Sequence, residues 1–99
     1  MGGVQFEWDK AKSWANLQKH GIGFEEAATV FDDAEALLID DPDHSFEEAR
    51  FIILGFSYQR RLLVVCHCYR QPDERIRLIS ARKATRREVR YYIDQYTRR

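Results

Sequence analysis

The segment of this 99-residue chain richest in chemistry is Arg75-Ile76-Arg77-Leu78-Ile79-Ser80-Ala81-Arg82-Lys83. In a strand, Arg75 and Arg77 share one face, with Ile76, Leu78 and Ser80 on the other. Guanidinium groups on an open sheet face can grip a phosphodiester through paired hydrogen bonds and offset charge that builds on phosphorus. The bland reading of the same alternation is a solvated charged face. His67 stands between Cys66 and Cys68 in an apolar run, on a strand face with Leu63, Val65 and Tyr69. Imidazole titrates near neutrality, so His67 is a candidate general acid or base. A lone histidine among apolar neighbours is otherwise a hydrogen-bonded structural residue. Glu48, two residues before Arg50, is a candidate general base or half of a surface ion pair.

The two cysteines lie at i and i+2 of a strand, their Cα atoms roughly 6.5–7 Å apart, at or beyond the edge of disulfide geometry. Cys-x-Cys with one intervening histidine is a weak metal signal, and two buried thiols are the simpler reading. No phosphate-binding glycine loop, Ser-His-Asp set or paired-cysteine zinc pattern is present, so no cofactor and no metal are expected.

These residues sit in a chain whose zero net charge hides a strong polarity. Residues 1–49 hold twelve Asp/Glu against three Lys/Arg, and residues 50–99 hold four against thirteen. The basic half can face a polyanion, with Lys83, Arg86, Arg87 and Arg90 as candidate nucleic-acid contacts. Alternatively, the acidic half partly covers the basic one through internal ion pairs.

The elements that must position these groups are legible in outline. Val4–Trp8 predicts a short strand. Asp9 caps a helix over Lys10–His20, which Gly21 ends. Phe24, Ala27, Ala28 and Phe31 recur at helical spacing after Gly23. Strands are expected at 36–39, Arg50–Ser57, Arg61–Tyr69 and Arg75–Ala81, the last three forming an antiparallel meander. Thr85 and Glu88 make a capping box for a last helix with Val89, Tyr92, Ile93 and Tyr96 as its apolar stripe. The order β-α-α-β-β-β-β-α predicts a single α+β domain over residues 1–99, with a mostly antiparallel sheet and its helices packed on one face. The length suits one core. No stretch approaches a membrane span, and the N-terminus lacks a signal-peptide pattern, so a cytoplasmic protein is expected.

The chain also resembles the BrnT toxin family. The resemblance is carried by Phe6-Glu7-Trp8-Asp9, Lys12, Asn16 and Lys19-His20-Gly21-Ile22, then Phe24-Glu25-Glu26-Ala27 and Val30-Phe31-Asp32-Asp33. Asp41-Pro42-Asp43-His44-Ser45, Arg50, Gly55, Arg61-Leu62-Leu63-Val64-Val65 and the segment from Arg77 to Glu88 complete it. It implies a RelE-like fold and a ribonuclease toxin of a type II toxin–antitoxin pair that inhibits translation. The implied partner is a BrnA-like ribbon-helix-helix antitoxin, with operator DNA bound only through the complex. Metal-free cleavage is implied, with Arg50, Arg77 and Arg82 around the phosphate and Glu48 or His67 moving the proton. The alternative is a non-catalytic binding module acting in transcriptional autoregulation.

Overall fold

The computed structural model describes residues 4–40, 50–70 and 75–98. Among them the elements run β1 (Gln5–Glu7), α1 (Lys10–His20), α2 (Phe24–Thr29), a 3-10 turn (Val30–Asp32), β2 (Leu37–Asp40), β3 (Arg50–Phe56), β4 (Leu62–Arg70), β5 (Arg75–Lys83) and α3 (Arg86–Thr97). One sheet orders the strands β1-β5-β4-β3-β2. Among the described strands the β1–β5 pair is parallel and the other three pairs are antiparallel.

Local chemistry sets the helix ends. The Asp9 carboxylate accepts hydrogen bonds from the backbone N–H groups of Ala11 and Lys12 at 2.8 and 3.2 Å. Gly21 ends α1 in the left-handed region at φ 75°, a conformation that costs a side-chain-bearing residue strain. Thr85 and Glu88 form the expected capping box at the start of α3.

The helices divide between the two faces of the sheet, where the sequence predicted all of them on one. Ile22, Phe24, Ala27 and Val30 pack with Ile53, Leu63, Val65, Ile76 and Leu78. On the opposite face Leu54, Leu62 and Val64 pack with Tyr92 of α3, flanked by Val89 and Ala84. The cause is that β3 and β4 are apolar on both faces, so each face needs a cover. The α3 stripe is only partly used: Tyr92 is buried, whereas Ile93 and Tyr96 are 51% and 55% exposed.

A bulge in β5 corrects a second expectation. Cys66 pairs with Ser80 but His67 pairs with Leu78, which leaves Ile79 as an extra residue. Beyond it the alternation changes phase. Ala81 enters the α1–α2 core, and Ser80 and Arg82 turn to the α3 face, the face of Arg77. Without the bulge Arg82 would point into the core.

Past Glu7, β5 has no strand on its outer side. There buried Asn16 of α1 stands in for one. Its Nδ2 donates to the carbonyls of Ile22 and Ala81 at 2.7 and 2.8 Å, and its Oδ1 accepts from the Ala81 N–H at 3.2 Å. This side-chain bridge fastens α1 to the strand segment that leads into Arg82, and it satisfies both backbone groups of Ala81 on that edge.

Candidate nucleic-acid interface

The register brings one row of polar side chains across the α3 face. Arg50 on β3 is opposite Cys68 on β4, Cys68 is opposite Arg77 on β5, and Arg77 is opposite Glu7 on β1. Three interstrand steps make this row roughly 14 Å long. The next row adds Arg70 and Arg75. Glu7 sits among these guanidiniums. Its Oε2 accepts from Arg77 at 3.1 Å and lies 3.7 Å from Arg70, and its Oε1 lies 3.5 Å from Arg75. The hydrogen bond from Arg77 is the main reason its carboxyl is held below the usual range, with Arg70 and Arg75 adding to the effect. Arg50 is half-buried and has no ion pair among the described residues.

Arg82 lies elsewhere on the same face. Its partner Val64 is four residues along β4 from Cys68, so Arg82 is roughly 13 Å from the row. It donates to both oxygens of Glu88 at 2.8 and 2.9 Å. The same carboxylate accepts from the Thr85 N–H at 2.8 Å, so one side chain joins the end of β5 to the start of α3. This pairing with Arg82 takes the Glu88 carboxyl down to about 2, and it raises Arg82 further. Between the row and α3 lies a cavity of about 280 Å³. Ile52, Leu54 and Val64 form its floor, Ile39 one wall, and Arg87, Glu88 and Tyr91 the other. A half-exposed tyrosine beside an arginine, over an apolar floor, can stack an unpaired base.

The other sequence-predicted residues fall as follows. Arg86, Arg87 and Arg90 are exposed on α3. Lys83 is exposed but pairs with Leu63, which directs it to the opposite face, towards Glu26. Glu48 lies outside the described residues, as do Glu47 and the segment 41–45. His67 is also on the opposite face, fully buried, so the structure separates it from the arginines. Its ring meets Phe31 edge-on at 4.8 Å and contacts Phe51 and Tyr69. Burial pushes its pKa down, against a weaker contribution from the Val65 carbonyl. Neither Cys66 nor Cys68 is in a disulfide. Among the described residues no group of three or more His, Cys, Asp or Glu is placed to hold a metal ion. Sequence reasoning missed Glu7 as a site residue. The signal was the Gln-Phe-Glu alternation of β1, too short to carry weight before its partner strand is known.

The polarity of the chain is spent in part on internal ion pairs. Glu7 answers Arg70, Arg75 and Arg77, and the buried Glu26 answers Arg61, with Ser57 donating to the same carboxylate at 2.6 Å. The arginines of α3 that line and flank the groove remain open to solvent.

The site thus lies on a mixed five-stranded sheet with helices on both faces and an arginine row beside a groove. The chain superposes on the crystal structure of the Brucella abortus ribonuclease toxin BrnT, with a TM-score of 0.64 and 20% identity over 85% of this chain and all of that one. Residues 8–88 match the family model described as "Ribonuclease toxin, BrnT, of type II toxin-antitoxin system". The chain therefore belongs to the BrnT family of ribonuclease toxins, a family whose members imply an antitoxin partner. No curated protein matches the sequence. No helix among the described residues is long and apolar enough to cross a membrane.

Proposed function

We propose that this chain is a metal-independent endoribonuclease that acts in the cytoplasm, cutting RNA by attack of a 2′-hydroxyl on the adjacent phosphate. The products are a 2′,3′-cyclic phosphate and a 5′-hydroxyl, and the outcome is arrest of translation. The observation that carries this reading is the shared face of Arg50 and Arg77 beside the Tyr91–Arg87 groove. Arg77 and Arg50 hold the scissile phosphate and offset the charge that develops on it. Arg82 is too far along the sheet to share that phosphorus without help. It holds a neighbouring phosphate by exchanging Glu88 for the ligand, together with Arg86, Arg87 and Arg90. A BrnA-like ribbon-helix-helix antitoxin neutralises the enzyme by covering this basic face, and the complex, not the toxin alone, meets operator DNA.

The test is cleavage of RNA by the purified chain with analysis of fragment ends. Cyclic-phosphate ends are expected, equally with and without EDTA. Arg77→Ala should slow cleavage by roughly 10²-fold or more, the cost of losing a donor to developing charge. Arg82→Ala should act mainly through weaker RNA binding. Loss of activity on chelation, or full activity of Arg77→Ala, would overturn the assignment. Salt-sensitive binding of RNA without cleavage would favour the binding-module reading.

A further inference from the structure

We propose that Glu7 is the general base of this site, a catalytic residue that takes the proton from the attacking 2′-hydroxyl. The inference rests on the ribonuclease reading above and deepens it. Its carriers are position, reach and the lack of a competitor among the described residues. Glu7 closes the row Arg50–Cys68–Arg77–Glu7, so its carboxylate stands beside the guanidinium assigned to the scissile phosphate, at 3.1 Å. A 2′-hydroxyl is attached to the sugar carbon next to the one bearing that phosphate. A phosphate held by Arg77 therefore brings the hydroxyl to the neighbourhood of Glu7.

Reach and competition point the same way. The Glu7 side chain is 23% exposed, open enough to meet a substrate. His67 is buried behind the sheet. Glu88 is paired with Arg82, whose strand partner Val64 is four residues along β4 from Cys68, so it stands roughly 13 Å from the row that holds Arg77. The charged groups facing Glu7 are Arg70 from β4 and Arg75 and Arg77 from β5, with the Cys68 thiol next to Arg77 in the row. All three arginines keep the carboxylate ionised at neutral pH, which supplies the correct protonation state at the expense of basicity.

The step balances. The Glu7 carboxylate takes the 2′-hydroxyl proton as the 2′-oxygen forms its bond to phosphorus. The bond from phosphorus to the 5′-oxygen breaks, and that oxygen takes a proton from water. Glu7 then returns its proton to solvent.

The experiment compares single-turnover RNA cleavage by the wild-type chain, E7Q and E48Q between pH 6 and 9, alongside RNA affinity. Wild-type cleavage should show no rise attributable to this carboxylate, because Glu7 is ionised across that range. E7Q should cleave at least 10²-fold more slowly at pH 7, the usual worth of a positioned base. Its rate should climb about tenfold per pH unit as hydroxide takes over the proton. Its RNA affinity should be equal or tighter, since a negative charge has left a basic face. A counter-ion role would give the tighter binding without the new slope. E7Q cleaving within threefold of wild type, E7Q cleaving with an unchanged pH profile, or E48Q gaining the slope instead would overturn the proposal. If E7Q fails to fold, E7D is read in its place: a tenfold or greater loss in kcat at unchanged KM supports the base, and full activity overturns it. Wild-type protein that makes no cyclic-phosphate ends defeats the ribonuclease reading itself, and the base assignment with it.

Discussion

Two residues of similar promise in the sequence have opposite fates in the fold. Arg77 stands on the sheet face opposite Ile76 and Leu78, as its alternation with them foretold, and its side chain is 33% exposed. His67 follows the same alternation, but its face is the one that α2 and the 3-10 turn cover. Strand parity was legible; which face would be covered was not, because β4 is apolar on both. The burial of His67 has a measurable effect on stability. Its folded pKa is depressed below the ordinary 6.5, so the unfolded chain takes up a proton that the folded one refuses. Its contribution is therefore complete above about pH 6.5 and falls as pH drops, by at most about 1.4 kcal/mol per pH unit for one proton. Thermal melting from pH 7 to 5 should show a steeper decline for the wild type than for His67→Gln, and His67→Gln should cleave RNA at the wild-type rate. Equal declines would remove His67 as the source.

At the scale of elements, caps were easy to read and phase was not. Asp9, Gly21 and the Thr85–Glu88 box each declare a helix end through chemistry confined to a few neighbouring residues. The β5 bulge is announced only by the doublet Leu78-Ile79, and its meaning depends on pairing with β4. The docking of α3 depends on a similarly remote contact. The Tyr92 hydroxyl donates to Asp33 Oδ2 at 2.7 Å, and the Phe56 N–H donates to the same oxygen at 2.9 Å. Gly55 lies against this junction. A Cβ there would stand 2.9 Å from the Ala36 Cβ, 3.0 Å from Val30 Cγ1 and 3.1 Å from Asp33 Oδ2. Gly55→Ala should therefore destabilise the fold by about 1–3 kcal/mol through overpacking. In a urea titration the midpoint should fall while the slope stays unchanged. An unaltered midpoint would mean that the junction has slack.

The whole molecule carries its charge in two registers, one spent internally and one open to solvent. Internal pairs such as Glu26 with Arg61 brace the α2 side and Arg82 with Glu88 ties β5 to α3, whereas Arg87 lines the groove and Arg86 and Arg90 are exposed on the same helix. If Arg50, Arg77, Arg82 and Arg87 each neutralise one phosphate of a single strand, the affinity for RNA should fall with salt at a log–log slope of about −3. Arg87→Ala should flatten that slope by about 0.7. A slope near zero would place binding in the apolar groove and not in the arginines. The sequence displayed the polarity in full. How it is apportioned became visible only with the fold, because the pairs join residues as distant as Glu7 and Arg77.

The parallel pairing of β1 with β5 joins groups seventy residues apart, Glu7 and Arg77. Chains are made from the N-terminus, so Glu7 leaves the ribosome seventy residues ahead of Arg77. The row cannot close before β5 has emerged. A nascent polypeptide whose β5 is still to be made thus lacks the assembled row, and the site comes into being only once both strands are free to pair.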